Sequence, residues 1–230
     1  MRFLPALIGI LLMLSTVHAR AADEPLPDGF VHADGVVPGL VVDLRYAGSD
    51  NFVGHRVDGY EADRVVLTAP AAEALRKVQA ALKPFGLGLK VFDAYRPTRA
   101  VAHFVRWSDM PDDADIKRHY YPDIDKVRLF EEGYVATRSS HSRGSTVDLT
   151  LVSLAPDGTA TELDMGTPFD FFGPESWPDH AGVTGGQRSN RLLLRLVMER
   201  HGFKPFDKEW WHFTLGNEPF PDTYFDFPVR

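Results

Sequence analysis

The chain has 230 residues, 44% of them hydrophobic, with 25 Lys and Arg against 32 Asp and Glu, a formal net charge of −7. That length and apolar content suffice for one folded unit of ordinary size with its own core. The acidic balance argues against nucleic acid as a partner, and the absence of cysteine excludes disulfides, thiolate metal sites and lipid attachment through cysteine.

Residues 1–21 open with Arg2, run through an apolar stretch from Leu4 to Val17, and close on the small residues Ala19 and Ala21. That order is the pattern of a signal peptide, and the stretch is too short to span a bilayer. Nothing later in the chain is apolar for 18 consecutive residues, so no stable membrane insertion is expected after its removal. Loss of Arg2 and Arg20, with no acid lost, leaves 23 basic residues against 32 acidic ones, a net charge of −9. Residues 22–34, rich in Pro, Asp and Gly, read as an irregular mature N-terminus, and the folded domain is expected over residues 35–230.

Thr68 is placed to cap a helix with Pro70 in its first turn; Leu75, Val78 and Leu82 form its apolar stripe, and Pro84 with Gly86 stops it. Leu87, Leu89 and Val91 then alternate with Gly88, Lys90 and Phe92, a strand that delivers Asp93, Tyr95 and Arg96 at its end before Thr98 opens another helix. Thr146 to Leu151 alternates as well. Val147, Leu149 and Leu151 make a core face, so Asp148 on the other face is expected to meet a groove or solvent. Near the C-terminus Asn190 is placed to cap a helix carrying Leu193, Leu196 and Val197, which Gly202 ends before Phe203 to Leu215. Residues 106–130 and 154–190 show no regular pattern, which does not suit a doubly wound sheet, and the fold class reads as α+β.

The chemistry concentrates in two stretches. Ser-Ser-His-Ser-Arg-Gly-Ser-Thr-Val-Asp at 139–148 offers His141 and Asp148 with Gly144 between them to turn the backbone, and Glu-Trp-Trp-His at 209–212 offers His212. Two imidazoles and one carboxylate are a donor set for a catalytic zinc, which keeps a further position for water. Glu209 is the candidate proton acceptor for that water. On a flat strand residues three apart point to opposite faces, so Glu209 and His212 can share a site only if a turn or bulge lies near Glu209. Arg96, fixed by Pro97 after it, could stabilise a developing oxyanion. The spacing leaves plainer readings open: His141 with Asp148 as a hydrogen-bonded loop pair, Arg96 as partner of a structural carboxylate, Asp170 as a loop carboxylate, and Trp210 and Trp211 as core or wall.

The set Asp-Gly-Tyr-Glu at 58–61, Asp-Ala-Tyr-Arg-Pro at 93–97, the 139–151 stretch ending Asp-Leu-Thr-Leu, and Glu-Trp-Trp-His resembles the D-alanyl-D-alanine dipeptidases of the vancomycin-resistance type. The likeness runs from about Asp43 to the terminal Tyr-Phe-Asp-Phe-Pro-Val-Arg and includes Asn51-Phe52 and Met165-Gly166. It implies His141, Asp148 and His212 as ligands of one Zn²⁺, Glu209 as general base and acid, and Arg96 as transition-state stabiliser. It also implies a small closed cavity for a free dipeptide, with Asp170 against the substrate ammonium and Ser139 and Tyr46 nearby. The implied fold is that of the zinc D,D-carboxypeptidases and the hedgehog signalling domain, a mixed sheet with helices around a metal groove. Two departures stand out: Ser-Thr-Val-Asp replaces the more usual Ser-Ala-Ile-Asp, and Asp164 precedes Met165 in a different loop.

The expected activity is therefore zinc-dependent hydrolysis of D-alanyl-D-alanine, and the signal peptide points to the periplasm and to catabolism or recycling of wall-derived dipeptide. Two alternatives remain at this stage: a D,D- or L,D-carboxypeptidase acting on peptidoglycan stem peptides, which needs an open groove, and a zinc-containing binding domain without turnover.

Overall fold

Strand β5, Thr146–Leu154, organises the molecule. Its β-branched and leucine side chains suit a pleated surface covered on both faces, and all of Thr146 to Val152 is buried. The strand does not meet bulk solvent on either face: Thr146, Asp148 and Thr150 are as buried as Val147, Leu149 and Leu151, because a central strand is covered by other elements on both sides, but Asp148 does face a groove, the cavity described below. This is a computed structural model that describes residues 25–230, so the signal-peptide segment 1–21 lies outside the described residues.

β5 pairs antiparallel with β4 (Leu87–Asp93), with β8 (Glu209–Leu215) and, at its far end, with β6 (Ala160–Glu162). β2 (Val41–Val42) joins β4 in parallel and β7 (Phe203–Phe206) joins β8 antiparallel, so the six-stranded sheet is mixed, in the order β2-β4-β5-β8-β7 with β6 off β5. β1 (Phe30–His32) and β3 (Val66–Thr68) form a separate antiparallel pair. Order begins earlier than expected from composition: residues 30–32 are a strand, and α1 follows over Ala33–Val36.

The helices depart from the pattern reading in instructive ways. α2, Ala69–Leu82, starts after Thr68 with Pro70 in its first turn and ends through Gly86 in the left-handed region, as expected. The Thr68 hydroxyl does not cap it, however; it bonds to Ser145 Oγ at 2.7 Å. α3 covers Thr98–Ser108. The stretch 106–130 is not irregular: it holds α4, Ala114–Tyr120, capped by the Asp113 carboxylate, and α5, Lys126–Glu131. α6 runs over Gly185–Arg200, starting six residues, nearly two turns, earlier than expected, with Thr184 and Gln187 forming a reciprocal capping box. Asn190 therefore lies inside the helix. Leu193 and Leu196 are exposed, and the buried face is Arg191, Leu194 and Met198. Helices against one mixed sheet make the α+β class.

Candidate metal centre and substrate cavity

Three neighbouring strands bring the central residues together by register. Asp148 on β5 stands opposite Asp93 of β4 on one side and His212 of β8 on the other. His141 arrives from a 3-10 turn, Ser140–Arg143, whose start is capped by Ser139 Oγ accepting from the His141 N–H. Gly144 closes that turn at φ +80°. A Cβ there would stand 2.2 Å from Phe30 Cε1, so glycine is required both for the left-handed backbone and for the close passage of the turn over β1.

The donors converge. His141 Nε2 lies 3.2 Å from Asp148 Oδ2 and 3.3 Å from His212 Nδ1, and His212 Nδ1 lies 3.1 Å from Asp148 Oδ1. His141 Nδ1 is 2.7 Å from the Ala94 carbonyl, and since a carbonyl can only accept, that nitrogen carries the proton and Nε2 presents a lone pair to the cluster. Asp148 Oδ1 is buried without a hydrogen-bond partner. Two ring nitrogens and a carboxylate, each offering one atom within 4.8 Å of the others, fit a divalent cation, and N₂O is a donor set for catalytic zinc. Burial acts to raise the Asp148 pKa, but the His141 and His212 imidazoles hold it well below the usual carboxylate range. Burial lowers His212 against the opposing pull of Asp148, which keeps that imidazole neutral and able to ligate.

Glu209 sits beside this cluster, Oε2 3.5 Å from His212 Nδ1. The bulge that the sequence required is present: the β7–β8 register shifts so that Phe206 pairs with Glu209 while Pro205 pairs with Phe213. Both Glu209 and His212 consequently face one cavity. Burial, followed by the charges of Asp148 and Asp170, raises the Glu209 pKa well above its usual value, which suits a group that must both take and return a proton.

Arg96 is held from all sides. Its Nε donates to Asp93 Oδ2 at 2.8 Å, Nη2 is 3.6 Å from Asp148 Oδ2, and the guanidinium stacks 5.1 Å from the Tyr46 ring and 5.2 Å from Phe104. Burial opposes its charge, but Asp93 and the surrounding anions more than offset this and keep it cationic. Asp93 is fully buried and also accepts from Tyr60 Oη at 2.5 Å. Neither Asp93 nor Tyr60 stood among the expected site residues; the signal was their presence in the Asp-Ala-Tyr-Arg-Pro and Asp-Gly-Tyr-Glu motifs. Ser140, whose Oγ is 3.4 Å from His212 Nε2, was missed as well.

Asp170 and Tyr46 line the same cavity as the metal cluster, with Tyr46 Oη donating to Asp170 Oδ2 at 2.7 Å. Asp170 is the only non-glycine residue among the described ones with positive φ, at +60°, a conformation that costs of order 1–3 kcal/mol and clusters at functional sites. Burial and the Asp148 charge raise its pKa, against the hydrogen bond from Tyr46. Ser139 lines the cavity, and Phe52, Val101, Phe104, Val135, Phe172 and Phe206 complete its apolar walls. The volume is about 340 Å³, at the small end of the ~300–1,000 Å³ usual for ligand cavities. All eight residues expected from the sequence are thus brought to one cavity.

The D-ala-D-ala dipeptidase family profile matches residues 27–230. A D-alanyl-D-alanine dipeptidase of Enterococcus faecium is 44% identical over 202 residues, 88% of this chain and 98% of that one. A D-alanyl-D-alanine dipeptidase of Streptomyces coelicolor is 46% identical over 200 residues, 87% of this chain and 98% of that one. Among solved structures, a mutant of the vancomycin-resistance D,D-pentapeptidase VanY in complex with Zn(II) aligns with a TM-score of 0.40 and 13% identity, covering 70% of this chain and 79% of that one.

Proposed function

This chain belongs to the D-Ala-D-Ala dipeptidase family, and from that premise we propose that it hydrolyses D-alanyl-D-alanine to two molecules of D-alanine with one zinc ion. The carrying observation is the convergence of His141, Asp148 and His212 within 4.8 Å, beside Glu209 and in one small cavity with Asp170.

In this reading the three residues hold Zn²⁺, which when bound polarises the scissile carbonyl and makes a water acidic enough to react near neutral pH. Glu209 Oε2 takes a proton from the attacking water and returns it to the leaving amine as the C–N bond breaks. Arg96, pinned by Asp93, directs its free guanidinium edge to the oxygen that gains charge. The Asp170 carboxylate, held by Tyr46, accepts the substrate ammonium, with Ser139 lining the same cavity. The aromatic walls leave room for methyl side chains and bury most of the charged groups, which strengthens their action on the substrate.

The test is release of D-alanine from D-alanyl-D-alanine by residues 22–230, metal-stripped and then zinc-restored, beside a stem pentapeptide of the same D-Ala-D-Ala terminus. Zinc-dependent turnover of the free dipeptide, with the pentapeptide at least about 100-fold slower, is expected. Equal or better turnover of the pentapeptide would replace this reading with a carboxypeptidase, and metal binding without turnover of either with a binding domain.

Arg2, the apolar run to Val17 and the small Ala19 and Ala21 support export. We place the mature protein in the periplasm, degrading dipeptide released from the wall for nutrition or recycling. Fractionation with N-terminal sequencing checks this: a cytoplasmic chain that keeps Met1 would exclude it.

A further inference from the structure

Asp170 sits on a long stretch, Leu163–Trp177, with no strand and only the single 3-10 turn Pro174–Ser176. Something outside the stretch must hold a residue at φ +60° inside it. Phe172 N–H donates to Tyr120 O at 2.7 Å and Trp210 Nε1 to Thr167 Oγ1 at 2.8 Å, and one face of α6 supplies the contacts at the two ends of the stretch. Gln187 Nε2 donates to Asp164 Oδ2 at 2.9 Å, and Asn190 Nδ2 donates to the Asp164 carbonyl at 2.9 Å. Arg191 donates from Nε to Met165 O at 2.6 Å, from Nη1 to Trp177 O at 2.8 Å and from Nη2 to Glu175 O at 2.8 Å.

Arg191 is unusual in two respects. It is only 3% exposed, and among the described residues it takes part in no ion pair. A buried guanidinium without a carboxylate is costly unless every donor is used, and here burial together with neighbouring Arg188 lowers its pKa to about 10. Its planar fork ties Met165, five residues before Asp170, to Glu175 and Trp177, five and seven residues after it. Lysine cannot reproduce three divergent donors in a plane.

We propose that Arg191 is a positioning residue for substrate recognition: by clamping both ends of the 165–177 loop it holds the Asp170 carboxylate where the ammonium group of a free dipeptide binds. The inference rests on the assignment of Asp170 to that ammonium. It predicts that Arg191 acts through Asp170 and on binding, leaving the proton transfers at Glu209 untouched.

The experiment is a double-mutant cycle with Arg191→Lys and Asp170→Asn in the zinc-loaded mature protein, following kcat and KM for D-alanyl-D-alanine. Arg191→Lys is expected to raise KM about tenfold, the scale of one charge-assisted hydrogen bond, with kcat within about threefold of wild type. In the Asp170→Asn background the same change should move KM by less than about twofold. A purely structural arginine would instead lower the melting temperature and the active fraction, and so kcat, with KM unmoved. If Arg191→Lys does not fold, Asn190→Ala, which drops one exposed contact to the same loop, should show the same KM-only signature at smaller size. An unchanged KM in the folded variant, or a shift of equal size in both backgrounds, overturns the inference. Wild-type turnover is the control, since its absence would refute the function and not the clamp.

Discussion

The cavity has two ends built on different principles. At one, Asp148, His212 and Glu209 stand on adjacent strands whose backbones are hydrogen-bonded to each other, and the Cα atoms of Asp93, Asp148 and His212 lie side by side across β4, β5 and β8. At the other, Asp170 stands on a loop held by side chains of α6 and by Trp210 Nε1 donating to Thr167 Oγ1 at 2.8 Å. The roles proposed for these residues, metal ligation and proton transfer, tolerate only small displacements, and a sheet supplies that rigidity. A loop clamped by a few replaceable contacts can change which substrates are recognised without disturbing the chemistry.

The largest expected effect is at the sheet end. Glu209→Gln keeps the shape of the side chain and the three candidate metal donors, and removes the proposed proton acceptor. kcat should fall by about 10²–10⁴-fold, with zinc still bound in stoichiometric amount by elemental analysis. The fold should not weaken, because a neutral amide relieves the repulsion that Asp148 and Asp170 exert on Glu209. Retention of more than a tenth of the activity would remove Glu209 from the reaction.

Arg96→Lys comes next. The ammonium cannot both satisfy Asp93 and reach the developing oxyanion, so kcat should drop by about 10²–10³-fold, the scale for loss of one oxyanion donor. Asp93 remains buried against Tyr60, so the melting temperature should fall as well. A drop in stability with unchanged kcat would make Arg96 a partner of Asp93 alone.

Metal depletion probes the same end without mutation. At a free zinc concentration 100 times Kd, binding adds about 2.7 kcal/mol of stability, so its removal should lower the melting temperature by about 5–10 °C in a protein of this size. The loss should concentrate in hydrogen exchange around Asp148 and His212, with the 165–177 loop unaffected. Equal loss in both regions would show that the two ends are not mechanically separate.

The sheet end was legible in the sequence and the loop end was not. The spacing of His141 and Asp148 carries its own glycine, Gly144, and the aromatic run after Glu209 marks a strand, so even the required bulge could be stated in advance. α6 defeated pattern reading because its exposed face carries Leu192, Leu193 and Leu196 while its buried face carries Arg191. Two glycines at its start, Gly185 and Gly186, hid a capping box that needs Thr184 and Gln187 three residues apart. Asp170, Tyr46 and Ser139 were reached through family resemblance, since a loop held by tertiary contacts, like Asp170's, and single 3-10 turns, like those at Tyr46 and after Ser139, leave no periodic trace. α4 and α5 are too short to show more than a turn or two of periodicity.

The smallest effect concerns the anchor of the loop. Asp164 accepts from the Gly166 N–H and from Gln187 Nε2, both at 2.9 Å, and these contacts, the Gln187 bond first, lower its pKa although the carboxylate is exposed. A folded-state pKa below the unfolded value, about 3.9, means that its contribution is fully present above about pH 4 and is lost as the pH falls through the folded value. Exchange of the 164–170 amides, corrected for the intrinsic rate, should therefore be flat between pH 5 and 8 and rise only in stronger acid. Asp164→Asn isolates this group from every other carboxylate that titrates there: its –NH₂ cannot accept, so the variant should show at pH 7 the loosened loop that wild type shows only in acid. Protection on β5 should stay constant throughout. If the variant exchanges like wild type at pH 7, the loop is held by Arg191 and Asn190 without help from Asp164; if β5 loosens together with the loop, rigidity is shared across the cavity and the division between its two ends fails.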